Sequence, residues 1–150
     1  MNAQLDLFKN EEHIIAAIPA TMIDLIWPKV LPWLEKPIDL SHDEVCISSL
    51  KDELKSGKQL LCTVSRDTDV IGVFTLDVRV FDSGLRAMYI PLVGGTEIDK
   101  WMERGFKIIE AIAKDYNCTE LRGISVRKGW LRKLKDKGWE EVSTTVRRVL

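Results

Sequence analysis

The side chains able to do chemistry in this chain of 150 residues are scattered, and the familiar constellations are missing. There is no G-x-S-x-G nucleophile elbow, H-E-x-x-H zinc helix, P-loop or dinucleotide fingerprint. His13 and His42 stand far apart, both read as surface residues, and no metal site follows from them. Cys46, Cys62 and Cys118 form no C-x-x-C pair and read as buried thiols packed as small hydrophobes. Trp27, Trp33, Trp101, Trp130 and Trp139 fall at helical or strand-end positions, where core packing outweighs a role as base-stacking platforms.

Charge is the other chemical signal. The net formal charge is -1, which gives no global bias toward nucleic acid or membrane. Residues 1–75 nevertheless carry 7 basic against 12 acidic side chains, and residues 76–150 carry 15 against 11. From Arg122 to Leu150 nine basic residues meet only Asp136, Glu140 and Glu141. This run reads as a solvated helix face plus a terminal strand, so a nucleic-acid partner is not expected; a surface of Arg127, Lys128, Arg132, Lys133, Lys135 and Lys137 facing phosphates is the alternative. The longest apolar runs, such as Ile14 to Pro19, are too short to span a membrane. The first residues lack a basic then apolar leader pattern, so a cytoplasmic location is expected.

Length and 45% hydrophobic content predict one domain over residues 1–150, with residues 1–10 frayed. Pro19 opens a helical region carrying Met22, Ile23, Ile26, Trp27 and Val30, broken by Pro28 and Pro32 and ended by Pro37. Ser41 and Glu44 form an S-x-x-E capping box for a helix that stops at Gly57. Strands are expected at Gln59 to Ser65, Val70 to Phe81 and Leu85 to Val93, as a meander. In the second, Val70, Phe74, Leu76, Val78 and Val80 share a face, opposite Thr75, Asp77 and Arg79. Pro91 cannot donate a ladder bond, which predicts a gap in the sheet. Thr96 caps a helix through Trp101, Gly105, Ile108, Ile112 and Tyr116. Glu120 to Val126 is a strand, Lys128 to Lys137 a basic helix closed by Gly138, and Glu140 to Leu150 a β-branched last strand. The predicted order is α-α-β-β-β-α-β-α-β.

From about Pro19 onward the chain resembles the GCN5-related N-acetyltransferase (GNAT) fold, most nearly the small GNAT-like proteins of tailed bacteriophages. The resemblance rests on the strand running into Gly94 and Gly95, the helix ending A-I-A-K-D-Y-N-C, and the run R-G-I-S-V-R-K-G-W-L-R-K-L-K-D-K-G-W-E-E, in which Arg127, Gly129, Trp130, Leu134, Gly138, Trp139 and Glu140 match the family pattern. It implies an α/β (α+β) fold with a mixed, mostly antiparallel sheet and helices on both faces.

The resemblance also implies acetyl-CoA or CoA as cofactor, with Leu92, Val93, Gly94, Gly95, Thr96 and Arg127 as its contacts, phosphates lying at a helix start. The basic residue that opens the family's phosphate loop is missing, and Glu97 places a carboxylate where phosphate would sit. A backbone N–H near Leu92 or Val93 would polarise the thioester. For the base, the fourth strand offers Tyr89 and no Asp or Glu; for the acid, the last helix has no Tyr. Asp77 and Arg79 are candidates for substrate contact, or simply a solvated sheet face. Tyr116 reads as packing. Two functions follow: an acyl-CoA-dependent N-acyltransferase acting on an amine, or a non-catalytic phage protein that uses the fold as a protein-binding scaffold, in the virion or in host takeover. A homodimer is compatible with either.

Overall fold

The computed structural model describes residues 12–124 and 128–150. Its elements are β1 (His13–Ile18), a 3-10 turn (Ala20–Met22), α1 (Ile23–Asp39), α2 (Ile47–Ser56), β2 (Gln59–Arg66), β3 (Asp69–Val80), β4 (Arg86–Ile90), β5 (Val93–Gly95), α3 (Ile98–Asp115), β6 (Glu120–Gly123) and α4 (Lys128–Lys135). The sheet order is β1-β2-β3-β4-β6, with β5 pairing β3 beyond the end of β4. Every pairing is antiparallel except β4 with β6. Helices α1 and α2 bury Trp27, Leu34 and Leu54 against one face, and α3 buries Trp101, Ile108 and Ile112 against the other. The expected mixed, mostly antiparallel sheet with helices on both faces is therefore present.

The predicted order changes at both ends. β1 precedes the helices, antiparallel to β2 from His13↔Arg66 to Ile18↔Leu61. Its sequence, HIIAAI, carries three isoleucines but is short and lacks polar alternation, so no period marks it as a strand and it depends on the partner that β2 supplies. At the other end, residues 140–150 form no strand and are exposed, with Val146 at 86%. β-branched side chains favour a pleated surface only when a neighbouring strand completes it, and no such strand lies beside them among the described residues.

α1 is continuous where a broken region was expected, and carries Pro28, Pro32 and Pro37 inside it. Each proline removes one donor from the helix ladder. The carbonyls that Pro28 and Pro32 leave open belong to Asp24 and Pro28, both exposed, so water can satisfy them. The capping box is also corrected. Ser41 Oγ donates to the Ile38 carbonyl at 2.6 Å and accepts the Val45 N–H at 3.2 Å, which closes the end of α1; α2 begins later, after Cys46. It ends at Gly57 as expected, with φ +81.

Three side chains sit otherwise than predicted. A bulge between Val64↔Gly72 and Ser65↔Val70 inserts one residue into β3, so Val70 packs with α1 while Phe74 and Leu76 pack with α3. His13 is 2% exposed, because β1 carries it beneath Arg104 of α3. Cys46 is exposed, whereas Cys62 and Cys118 are buried as expected. On α4, Trp130, Leu131 and Leu134 turn inward while Arg132, Lys133 and Lys135 face solvent, and the Trp139 ring lies 5.3 Å from Phe106.

Candidate functional site

The site is built around Pro91. Before it, β4 is held on both sides: by β3 from Asp77↔Tyr89 to Val80↔Arg86, and by β6 from Ala87↔Glu120 to Ile90↔Gly123. After it the chain continues as β5 against Phe74, Val73 and Gly72 of β3. The Thr75 N–H donates to the Leu92 carbonyl at 3.0 Å and bridges the break. Among the described residues, pairing between β4 and β6 ends at Ile90↔Gly123, as the missing donor of Pro91 predicts. Two polar groups at the break lack partners. The Leu92 N–H has no backbone acceptor among the described residues, and the buried Thr75 hydroxyl has no hydrogen-bond partner.

Register then places a polar row beside the break. Asp77, Tyr89 and Arg122 stand opposite one another across β3, β4 and β6, and Arg79, Ala87 and Glu120 form the next row on the same face. The small side chain of Ala87 leaves space for Arg79, whose guanidinium carbon lies 3.5 Å from the Tyr89 ring centroid. Arg79 Nε donates to Asp77 Oδ2 at 3.4 Å, and Arg122 Nε to Glu120 Oε2 at 2.8 Å. Arg122 also covers Phe81, at 4.8 Å. Burial pushes the Tyr89 phenol above its ordinary pKa; Arg79 opposes this and the Glu44 charge reinforces it. The phenol stays protonated at neutral pH, so it can donate a proton and does not act as a phenolate base. Of these groups, sequence reasoning named Tyr89, Asp77 and Arg79. It missed Glu120 and Arg122 in this role, because only the β3-β4-β6 register brings them together, and Glu44, which reaches Tyr89 from the loop between α1 and α2.

The loop from Leu92 to Glu97 differs. Leu92 is buried among the α1 and α2 side chains, and Val93 is packed on the α3 side. A Cβ on Gly94 would overlap the carbonyl oxygen of Trp33, the very group that Pro37, lacking an N–H, leaves free in α1. Gly95, at φ +131, lies with its missing Cβ against Gly72 Cα and 2.5 Å from the Ile71 oxygen. These glycines are enclosed by protein. Thr96 does not cap α3: its N–H donates to the Ile71 carbonyl at 2.9 Å, and its own carbonyl accepts the Trp101 indole N–H at 2.8 Å. Glu97, at φ +55, occupies the cap position instead. Arg127 lies outside the described residues.

The Glu97 carboxylate turns away from the loop to Arg66 and to Lys100 Nζ at 3.4 Å, with His13 Nε2 at 3.7 Å. Glu12, His13 and Glu97 bring three metal-type donors within 4.8 Å of one another. However, Arg104 Nη2 lies 3.1 Å from His13 Nδ1, and an arginine can only donate, so the imidazole proton is fixed on Nε2. The nitrogen facing the carboxylates then has no lone pair for a metal. A surface cleft of about 630 Å³ opens beside Thr96, between Lys29 and Trp33 of α1 and Thr68 to Ile71. No helix among the described residues is long and apolar enough to cross a membrane.

No protein-family model and no curated protein matches this sequence. Solved structures do. An aminoglycoside acetyltransferase from an uncultured soil metagenomic sample, in complex with trehalose, aligns at TM-score 0.68 and 11% identity over 94% of this chain and 98% of that one. A predicted acetyltransferase with acetyl-CoA from Clostridium acetobutylicum gives TM-score 0.65 and 12% identity over 91% and 96%. A ribosomal-protein-alanine N-acetyltransferase from Brucella melitensis biovar Abortus 2308 gives 0.62 and 16% over 91% and 99%. At these identities the likeness establishes the fold and leaves activity to the site.

Proposed function

We propose that this chain, whose fold is that of GNAT acetyltransferases, transfers an acyl group from acyl-CoA to an amine. The observation that carries this reading is the end of the described β4–β6 pairing at Ile90↔Gly123, one residue before Pro91 and next to the Asp77, Tyr89 and Arg122 row. The acyl end of such a donor fits there, since the unpartnered Thr75 hydroxyl and Leu92 N–H lie at the break. Its pyrophosphate does not fit against Gly94 and Gly95, which are closed by Trp33 and Gly72. The first-turn N–H groups of α3 remain as an anion-binding end, with Arg127 as the further contact that the family resemblance implies. Acyl-CoA supplies the electrophilic thioester and the thiol leaving group.

The chain's own groups have separate tasks on this reading. The backbone N–H groups of Leu92 and Val93 stabilise negative charge that develops on the acyl oxygen. Asp77 holds the ammonium of the acceptor and takes its proton, directly or through water. Tyr89, kept protonated by burial, donates a proton to the departing thiolate. Tyr89→Phe should lower kcat at least tenfold, about 1.4 kcal/mol of transition-state stabilisation, while leaving the unfolding free energy within about 0.5 kcal/mol. Free thiol release during turnover and urea melts measure the two effects.

A second reading, the non-catalytic scaffold, is favoured by the enclosed glycines and by a Glu97 carboxylate already bound to Arg66 and Lys100. In that case the partner is another protein. The terminal run from Arg122 to Glu141, by which the sequence resembles small GNAT-like phage proteins, supports a phage origin and host cytoplasm on either reading. Thermal shift with acetyl-CoA and CoA separates the two. Ligand at one hundred times its dissociation constant stabilises the native state by about 2.7 kcal/mol. No shift at millimolar CoA would leave the scaffold reading in place.

A further inference from the structure

We propose that Arg79 and Arg122 form a binding site for an anionic group, so that the molecule resting on the open sheet face carries a carboxylate or phosphoryl group as well as an amine. That this molecule is the acyl acceptor rests on the acyltransfer reading; the anion site does not.

Both arginines are held in the same unusual way. Each binds its neighbouring carboxylate through Nε alone, Arg79 to Asp77 and Arg122 to Glu120. Each also has its guanidinium carbon over an aromatic ring, 3.5 Å from the Tyr89 centroid for Arg79 and 4.8 Å from that of Phe81 for Arg122. The ring and the Nε contact together restrain each guanidinium. The terminal Nη groups of each guanidinium, a planar fork, are bound to no carboxylate among the described residues, and beside Arg79 the Tyr89 hydroxyl is within reach. That fork matches the two oxygens of a carboxylate or phosphoryl group. Had the pairs served only to neutralise charge, the carboxylates would be expected on the Nη edges, where two parallel bonds form.

The carboxylates show the complementary feature. Asp77 Oδ1 and Glu120 Oε1 make no hydrogen bond among the described residues, since only the other oxygen of each is used. Glu44 adds a third negative charge near Tyr89. Adjacent strands lie about 4.8 Å apart and successive same-face residues about 6.6 Å, so the β3 and β6 arginines sit diagonally across Tyr89 and Ala87 at a Cα separation of roughly 12 Å. Forks for an anion and oxygens for an ammonium therefore alternate within a few ångströms. The ligand class that fits is a small zwitterion, an amino acid or an aminoalkyl phosphate.

Isothermal titration of the protein without any acyl donor tests this, using O-phosphoethanolamine, β-alanine and ethanolamine. At least one of the two anionic amines should bind at millimolar concentration and about tenfold tighter than ethanolamine; which one does separates a phosphoryl from a carboxylate site. Arg79→Gln and Arg122→Gln should each weaken that ligand about tenfold and leave ethanolamine unchanged. Arg122→Lys, which keeps the charge but not the fork, should behave like the glutamine variant. Arg132→Gln on the solvent side of α4 is the control and should change nothing. Circular dichroism melts establish that each variant is folded. Equal binding of ethanolamine and the anionic amines, no binding of either anionic amine, or full affinity in both folded glutamine variants would overturn the proposal. Anionic binding without a response to acetyl-CoA keeps this site and removes acyl transfer, and the opposite pattern does the reverse.

Discussion

On the two sides of Pro91 one stretch of chain meets opposite surroundings. Residues 86–90 show Tyr89 to an open face of paired charges, whereas residues 93–95 are pressed between α1 and β3. In sequence, the second segment carries the stronger functional signal, because a Gly-Gly pair before a helix matches a phosphate cradle. In the structure that signal has a packing cause. Pro37 frees the Trp33 carbonyl, the carbonyl turns to β5, and only glycine at position 94 lets the backbones approach that closely. The comparison shows that a glycine reports close approach and does not say of what.

The largest effect should come from filling that approach. Gly94→Ala places a methyl group on the Trp33 oxygen, backbone against backbone, where neither side can yield. The loss should be roughly 3 kcal/mol or more, enough to leave little folded protein. Gly84→Ala is the contrast: Gly84 has φ +87 but nothing within 4 Å of its Cβ position, so the cost should be about 1 kcal/mol. If urea melts give the two variants equal stability, the enclosed side of the comparison is wrong.

Next in size is the opposite wall of the same region. Trp101 is 0% exposed, its Cζ2 lies 2.7 Å from the Cβ position of Gly72, and its indole N–H holds the Thr96 carbonyl. Trp101→Ala should cost about 3 to 5 kcal/mol. Trp130, half-buried on α4, should cost about half as much. Equal losses in the two denaturation curves would mean that α4 is built into the core as deeply as α3.

A smaller effect tests whether the head of α3 can take an anion at all. Glu97→Gln removes the carboxylate that occupies Arg66 and Lys100. Stability should change by no more than about 1 kcal/mol, since both cations are substantially exposed. If phosphates lie at this helix start, CoA should bind the variant several-fold more tightly by calorimetry. Unchanged or weaker binding would remove the phosphates from this end of the molecule.

What was legible in the sequence follows the same division. Period-two and helical patterns identified the meander, α3 and the gap at Pro91, because these depend on local chemistry and on one missing donor. The direction of Trp130, Leu131 and Leu134 was readable for the same reason. Unreadable were β1, which needs β2 to exist, and the failure of residues 140–150 to form a strand, which needs a neighbour. Continuity of α1 through three prolines depends on which carbonyls face water. The site was half legible: Tyr89 and Asp77 stood out on their strands, but Arg122 and Glu120 joined them only through a parallel pairing across a helix crossover. Val70 changed faces through one bulge that nothing in its own strand announces.

The thiols give the mildest test, one that perturbs neither region. Cys46 is exposed at the start of α2, two residues from Glu44, while Cys62 is buried in β2 within the core shared with α3. The Ser48 hydroxyl, 3.2 Å from the sulfur, and the amide groups of Ser48 and Ser49 lower the Cys46 thiol to about 7. Burial pushes Cys62 up to about 12 and raises Cys118. Only the thiolate attacks an alkylating agent, so iodoacetamide should modify one cysteine per chain, with a rate half-maximal near pH 7 and about one tenth of maximal near pH 6. Ser48→Ala removes the leading cause, and the midpoint should move up toward that of an ordinary thiol, about 8.5. Because the folded state lowers this pKa, the contribution of Cys46 to stability grows as pH rises from about 7 to the unfolded value; full exposure keeps it small. Mass spectrometry of the alkylated chain reads both regions at once. Modification of Cys62 in the native protein at neutral pH would show that the enclosed side opens readily, and would erase the contrast across Pro91.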